Sequence, residues 1–212
     1  MFLSIPTLRI ARTLTKMNYL AHILLSGSNV DVQLGNFMGD AVKGKKYLNY
    51  TRDLQNGLLL HRQIDSFTDF HKTVRQSKKR LAPIYGHYSG ILIDIFYDYF
   101  LSVNWDSFSD QPLDEFISNF YTMVTYNMDK LPKKTQAIVP IMLKQNWLYK
   151  YSYYEGLERV LIGMKKKIKH DIPLDLGIHD LKKHEKELNA DFMLFFPQLV
   201  QYSKETLEKL EQ

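Results

Sequence analysis

The sequence predicts an all-α fold, a helical bundle in a single domain, and three observations support this prediction. Apolar side chains recur three and four residues apart in most segments, which is the spacing of one helix face. Alternating β-branched runs bounded by hairpin turns, which would indicate strands, are scarce. The 212 residues, of which 45% are hydrophobic, suffice for one core and show no compositional break that would divide the chain.

In the first half of the chain, breaks in this periodicity separate five predicted helices. Gly27 to Asn29 ends the first helix, over 18–26, and Gly44 follows the second, over 32–42. Thr51 is a plausible N-cap for the third helix, which continues through residue 71. The two helices that follow cover residues 74 to a break near Pro83 and Gly86, and residues 88–103, where the side chains are apolar nearly all round.

In the second half, prolines mark several of the predicted boundaries. Pro112 suits the first turn of a helix that is followed by Pro132. Two amphipathic helices are predicted over 138–147 and 153–164, and a loop covers 173–177. The last long helix carries apolar residues from Leu181 to Leu199, and we expect Pro197 to kink it.

Composition excludes several classes of protein. Without cysteine the chain has no disulfide, no thiolate nucleophile and no zinc–sulfur site. No run approaches the roughly 20 apolar residues that span a membrane. The net charge of +5 is spread along the chain without a recognisable nucleic-acid-binding motif. The one dense basic run, 165–169, suits either a solvated helix end or a surface for an anionic partner.

The first sixteen residues differ from the rest of the chain. They carry three basic residues and no acidic one, but they lack the apolar core and cleavage site of a signal peptide. Met17 is an alternative start. We therefore expect residues 1–16 to be a poorly ordered extension of a helical domain over 17–212, and we expect the protein to be cytoplasmic.

The segment 60–71 has an unusual number of polar, ionisable side chains for a core helix. His61 and Asp65 are four residues apart and so project from one helix face, with Asp69 on the same side. An imidazole and a carboxylate on adjacent turns can hold one divalent ion. Arg62 lies beside them in the sequence.

Two further pairs have the same spacing. Asp94 and Asp98 lie inside an apolar segment, and Asn36 and Asp40 lie on the predicted helix over 32–42. His22 lies on a fourth helix. Any single pair could instead be an N-cap, a buried hydrogen bond or an ion pair, and spacing alone does not show that the pairs converge.

Oxygen and nitrogen ligands without sulfur favour manganese, magnesium or iron over structural zinc. Such an ion would lower the pKa of a bound water, and phosphorus is a natural electrophile because the ion also neutralises a phosphoryl oxygen. Arg62 or Lys43 could stabilise the remaining negative charge. Dinucleotide-binding, phosphate-loop and serine-nucleophile motifs are absent from the sequence.

Five segments form an ordered set of motifs. They are Met17-Asn18-Tyr19-Leu20-Ala21-His22, Leu34-Gly35-Asn36-Phe37-Met38-Gly39-Asp40-Ala41-Val42-Lys43-Gly44, Leu60-His61-Arg62-Gln63-Ile64-Asp65-Ser66-Phe67-Thr68-Asp69, Asp94-Ile95-Phe96-Tyr97-Asp98-Tyr99-Phe100-Leu101 and Gln145-Asn146-Trp147-Leu148. In order and spacing, from Met17 onward, this set resembles the acyl carrier protein phosphodiesterase family.

The resemblance implies a divergent relative of the HD-domain metal phosphohydrolases that acts in fatty acid metabolism. Such an enzyme would use Mn²⁺, with Mg²⁺ or Fe²⁺ as alternatives, to cleave 4′-phosphopantetheine from a serine of acyl carrier protein. The implied metal ligands are His22, His61, Asp65, Asp94 and Asp98. The implied catalytic residues are Asn36, Asp40, Arg62 and Asp69. The family commonly has a histidine where this chain has Tyr99, and tyrosine is a poor ligand for manganese.

The resemblance also suggests how the substrate would bind. Acyl carrier proteins are generally acidic, so the basic residues at 75, 78–80 and 165–169 are candidates for docking. The aromatic segment around Trp147 and Tyr151 is a candidate wall for pantetheine, although such aromatics are more often part of a core. Two alternatives stay open: a phosphohydrolase of a nucleotide or small phosphate ester, and a non-catalytic carrier-protein binding module.

Overall fold

A computed structural model describes residues 19–166, 168 and 170–212, and these residues form eleven α-helices and no strand. The all-α prediction is confirmed. The helices are α1 (Tyr19–Leu24), α2 (Val30–Phe37), α3 (Arg52–Phe70), α4 (Lys72–Tyr85), α5 (Ser89–Val103), α6 (Leu113–Tyr126), α7 (Lys133–Gln145), α8 (Trp147–Lys150), α9 (Tyr154–Lys165), α10 (Gly177–Lys183) and α11 (Glu185–Glu211).

Helix α5 is central, as its all-round apolar sequence predicted. Nearly all of its residues are buried, including Phe96 and Phe100, and it packs against α1, α4 and α11. The long helix α11 also packs along α3 and α4. Helix α5 thus supports α1, and α11 supports α3, the two helices that carry His22 and His61. None of the described helices combines the length and the apolar character needed to cross a membrane.

Helices α2 and α3 cross with their backbones in direct contact, because both have glycine at the crossing. A Cβ atom on Gly35 would lie 2.3 Å from the carbonyl oxygen of Leu54, and one on Gly57 would lie 2.2 Å from that of Val32. Larger residues would push the helices apart. The close crossing brings Asn36, on α2, near the buried face of α3.

The predicted helix over 32–42 is shorter than expected. Helix α2 begins at Val30, with Asn29 accepting hydrogen bonds from the amides of the first turn, and it ends at Phe37. Asp40 lies in a separate 3₁₀ turn, Gly39–Ala41. The prediction that Asn36 and Asp40 share one helix face is therefore wrong. The reason is tertiary: the chain at Gly39 lies so close to the His61 ring that a Cβ would be 2.2 Å from its Cγ.

The remaining boundaries differ from the prediction by smaller amounts. Helix α4 continues past the exposed Pro83 and ends before Gly86, whose φ is 52°. Pro83 removes one amide donor, but an exposed carbonyl one turn earlier can bind water instead. Leu181 belongs to α10 rather than to the last helix. Residues 1–16, whose disorder was predicted, lie outside the described residues, as do residues 17, 18, 167 and 169.

Candidate metal centre

Asp98 is fully buried and holds the N-terminus of α1. Its two carboxylate oxygens accept hydrogen bonds from the amides of Leu20 and Ala21, each over 3.3 Å. These amides belong to the first turn of α1, where backbone N–H groups have no acceptor within the helix. Burial raises the pKa of Asp98 well above its ordinary value, although both amide hydrogen bonds act in the opposite direction. Asp98 therefore places the helix that carries His22.

His22 is almost fully buried in a hydrogen-bond network with Asn36 and Ser26. The Nδ2 group of Asn36 donates to the carbonyl oxygen of His22 over 2.9 Å and to Ser26 Oγ over 2.8 Å, while Ser26 Oγ donates to the same carbonyl. Both amide protons of Asn36 are thereby used. Its Oδ1, 2.7 Å from His22 Nδ1, must be the acceptor, so Nδ1 carries the proton. His22 Nε2 is then left with its lone pair.

That lone pair faces His61 and Asp65, both on α3. The two imidazole rings are stacked with centroids 4.2 Å apart. His22 Nε2 lies 3.5 Å from Asp65 Oδ1, and His61 Nε2 lies 3.3 Å from Asp65 Oδ2. One ligand atom from each of the three side chains can be chosen so that all lie within 4.8 Å of one another. The prediction that His61 and Asp65 project from one face of a helix is thus confirmed, and His22 lies against the same carboxylate.

Asp40 lies at the edge of this group. Its Oδ1 is 3.9 Å from His61 Nε2 and 3.2 Å from the ammonium group of Lys43. The negative charge of Asp40 also contributes to the environment of Tyr19, where burial first and this charge second raise the pKa to about 12. Asp40 therefore connects the buried histidine pair to the protein surface.

The residues present suit a divalent ion. Two imidazoles and a carboxylate, carried by two helices, can supply three ligands to one ion, with Asp40 available beside them. His22 Nε2 is buried and makes no hydrogen bond to any residue of the described ranges, and its partner nitrogen is fixed as a donor by Asn36. Ligating histidines in metal sites are held in this way by a second hydrogen bond.

Arg62 does not face this group. Its Nη2 donates to the carbonyl oxygens of Val42 and Gly44, over 3.2 and 2.7 Å, and its guanidinium lies over the ring of Tyr47. It thus supports the segment that follows Asp40. Asp69 is half-exposed and forms an ion pair with Lys78 over 3.0 Å. It is one turn beyond Asp65 on α3 and outside the group of three.

Asp94 lies one turn before Asp98 on α5, beside a cavity of about 20 Å³, enough for one water molecule. Ala21, Thr68 and Tyr97 also line this cavity. Thr68 Oγ1 is buried there without a hydrogen bond to the described part of the chain. The structure therefore groups Asp94 and Asp98 around the cavity and does not bring either into the His22–His61–Asp65 group.

Tyr99, the departure from the family pattern, points elsewhere. Its hydroxyl donates to Glu185 on α11 over 3.1 Å, and Tyr154 donates to the same carboxylate oxygen. Burial and these acidic and phenolic neighbours raise the pKa of Tyr99. The side chain thus contacts α9 and α11 and lies outside the group formed by His22, His61 and Asp65.

The candidate pantetheine wall is only partly accessible. A groove of about 690 Å³ runs between α6, α7 and α8 and is lined by Tyr121, Tyr126 and Tyr149, among others. Tyr151 is 1% exposed and belongs to the core, which is where aromatic residues of this kind more often lie. His71 caps the start of α4, where its Nδ1 accepts from the amide of Thr73, and it lies outside the group of three.

Two contributors to the site were not singled out from the sequence. Ser26 lies four residues after His22, a spacing that could have suggested a link to it. Gly39 leaves the space that the His61 ring occupies, and its only sequence signal was its position directly before Asp40. The partner of Gly39 is remote in sequence, so no local pattern indicates it.

Comparisons with known proteins agree with the motif pattern. A family model described as acyl carrier protein phosphodiesterase matches residues 17–199. A protein of that name from Photorhabdus laumondii is 31% identical over 186 residues, which cover 87% of this chain and 94% of the relative. Proteins of the same name from Yersinia enterocolitica and Klebsiella pneumoniae are 27% and 29% identical, each covering 89% of this chain and 98% of the relative. No solved structure matches the chain.

Proposed function

The chain belongs to the acyl carrier protein phosphodiesterase family, and on this premise we propose that it hydrolyses holo-acyl carrier protein. The bond broken is the phosphodiester between 4′-phosphopantetheine and a serine of the carrier protein, and the protein product is the apo form. The observation that carries the proposal is the convergence of His22, His61 and Asp65, with ligand atoms within 4.8 Å of one another. This group supplies a cation site where the family motifs meet.

The proposed cofactor is Mn²⁺, with Mg²⁺ or Fe²⁺ as alternatives, held by His22, His61 and Asp65. When bound, such an ion supplies Lewis acidity to the phosphoryl group and makes a coordinated water more acidic. Asn36 holds His22 in the tautomer that leaves Nε2 free of a proton. Asp98 positions α1 through its contacts with the amides of Leu20 and Ala21. Asp94 stays a predicted ligand, although it lies beside the small cavity and outside the group of three.

The charged residues at the edge of the site would act on the substrate directly. Lys43 is 68% exposed by side chain and its ammonium lies 3.2 Å from Asp40, so it can reach a phosphoryl oxygen while Asp40 stays nearby. Asp40 can accept a proton from the attacking water, because its carboxylate lies beside His61, one of the proposed ligands of the ion. Arg62, whose guanidinium binds backbone carbonyls, supports Lys43 rather than the phosphate in this proposal. The reaction would take place in the cytoplasm, with carrier protein of fatty acid synthesis as substrate.

The test is to incubate the purified protein with Mn²⁺ and holo-acyl carrier protein and to follow both products by mass. We expect free 4′-phosphopantetheine and apo-carrier protein in equal amounts, and neither from Asp65→Asn or after chelation. Release from a nucleotide or small phosphate ester, with intact holo-carrier protein, would contradict the proposed substrate. Binding of the carrier protein without turnover in any divalent metal would contradict catalysis itself.

A further inference from the structure

A basic segment borders the candidate metal centre. Residues 43–48 contain three exposed lysines, Lys43, Lys45 and Lys46, and most of the segment forms the 3₁₀ helix Gly44–Asn49, which has no buried residue. The sequence has no acidic residue between Asp40 and Asp53. Within the described ranges neither Lys45 nor Lys46 takes part in an ion pair. We call residues 43–48 the basic rim.

The basic rim has a fixed shape although it is exposed. Arg62 donates to the carbonyl oxygens of Val42 and Gly44 and lies over Tyr47, with its guanidinium carbon 5.0 Å from the ring centroid. Gly44 has a φ of 61°, which other residues rarely adopt, so the turn between the first two lysines depends on it. Since Arg62 follows His61 on α3, the rim is tied to the helix that carries the site.

Asp40 links the rim to the histidines. One carboxylate oxygen of Asp40 lies 3.2 Å from the ammonium of Lys43 and 3.9 Å from His61 Nε2. The remaining lysines of the rim follow within three residues. Their positive charges therefore lie on the exposed segment that directly follows Asp40.

The chemistry of the proposed substrate limits where a carrier protein can dock. The scissile phosphodiester is attached directly to a serine side chain, so the folded carrier protein must come within the length of that side chain of the reacting phosphorus. A docking surface must therefore adjoin the metal centre. The basic rim meets this requirement, and exposed cations there would attract an acidic partner.

Three of the basic residues named from the sequence meet it less well. Lys78 is paired with Asp69, Arg80 with Asp191 and Lys165 with Asp171, so their charges are balanced within the chain. The rim lacks such internal partners at Lys45 and Lys46. It also presents Leu48, which is 56% exposed, as an apolar contact beside the charges.

We propose that the basic rim, residues 43–48, is the surface on which the acidic carrier protein docks, an inference that rests on the proposed function. Lys45 and Lys46 pair with carboxylates of the carrier protein, and Leu48 packs against an apolar side chain between them. Lys43 lies closest to the phosphodiester and belongs to the catalytic machinery. Arg62 is a positioning residue for the rim.

The test compares two double charge reversals in the full chain. The variant K45E/K46E changes the rim, and K133E/K134E changes another adjacent pair of exposed lysines, at the start of α7, that has no ion pair in the described structure. We expect K45E/K46E to raise KM for holo-carrier protein about tenfold, with kcat nearly unchanged, and to weaken its dependence on salt. The control variant should change KM less than about twofold.

Binding of apo-carrier protein, measured by fluorescence anisotropy, separates docking from turnover. We expect K45E/K46E to weaken this binding by the same factor as KM, and the milder K45A/K46A to weaken it about threefold. If the wild type binds carrier protein but never releases phosphopantetheine, the proposed function fails while docking is still measured. If K45E/K46E binds as well as the wild type, or if the control weakens binding equally, the rim is not the docking surface.

Discussion

His22 donates the proton on Nδ1 to Oδ1 of Asn36 across 2.7 Å, and this single contact determines which nitrogen of the imidazole faces Asp65. The direction of the bond follows from the other contacts of Asn36, because its two amide protons already go to the His22 carbonyl and to Ser26. A predicted catalytic residue thus has a positioning role. Asn36 holds His22 with its Nε2 free of a proton, so this nitrogen is available as a metal ligand.

Asn36→Leu should therefore weaken the metal site. The leucine has a similar size but cannot accept from Nδ1, so His22 is free to place its proton on Nε2. We expect manganese affinity to fall about 10- to 100-fold, as is typical when the hydrogen-bond partner of a ligating histidine is removed. Isothermal titration with Mn²⁺ measures this. Asn104→Leu removes another partly buried amide, one that bonds Phe100 and Asn189, and it should leave manganese affinity unchanged. Equal losses in both variants would contradict the specific role of Asn36.

Two carboxylates of α3, one turn apart, should respond differently to removal of charge. Asp65 lies between the two histidines, whereas Asp69 is half-exposed and paired with Lys78. In about a hundredfold excess of Mn²⁺ over Kd, binding adds about 2.7 kcal/mol to the free energy of unfolding, or roughly 5–10 °C in Tm. Asp65→Asn should abolish this shift. Asp69→Asn should keep it and should change stability by no more than about 0.5 kcal/mol. Loss of the shift in Asp69→Asn would place that carboxylate in the site after all.

Helix periodicity predicted these relations to different degrees. His61 and Asp65 lie on one helix, so a spacing of four was enough to place them together. Asn36 and Asp40 have the same spacing, but the helix ends between them because the chain must make room for the His61 ring. A periodic pattern does not reveal where a distant side chain interrupts a helix.

The sequence did not predict the contacts that side chains make with backbone groups far away in the chain. Asp98 binds amides 77 and 78 residues away, and Arg62 binds carbonyls about twenty residues away, although both side chains looked equally suited to a metal or a phosphate. Helix termini and turns leave such backbone groups unsatisfied, and any nearby polar side chain can bind them. Motif resemblance named these residues together, and only the fold separates those that face the histidine group from those that bind backbone groups.

The raised pKa of Asp98 predicts a specific dependence of stability on pH. Burial favours the protonated form in the folded protein, so over the range between the ordinary carboxyl pKa and the folded value the folded state holds a proton that the unfolded state has released. The free energy of unfolding should fall as pH rises through this range. Asp98→Asn should lack this contribution, so the difference in stability between variant and wild type should shift in favour of the variant as pH rises. Urea denaturation in the presence of a chelator measures it. A difference that is constant with pH would contradict the buried, protonated carboxyl.

Gly39→Ala tests whether the space at Gly39 determines the geometry of the site. An added Cβ would lie 2.2 Å from Cγ, 2.5 Å from Cδ2 and 2.6 Å from Nδ1 of His61, so the ring must move away from His22 and Asp65. We expect a loss of about 1–3 kcal/mol in the free energy of unfolding, as for other overpacked sites, together with loss of the Mn²⁺-induced rise in Tm. The matched control is Gly163→Ala in α9, where a Cβ meets nothing within 4 Å. There the helix should gain up to about 1 kcal/mol and keep the response to Mn²⁺. If Gly39→Ala is destabilised but still responds fully to Mn²⁺, His61 does not need its observed position to bind the ion, and the three-residue group would have to be redefined without it.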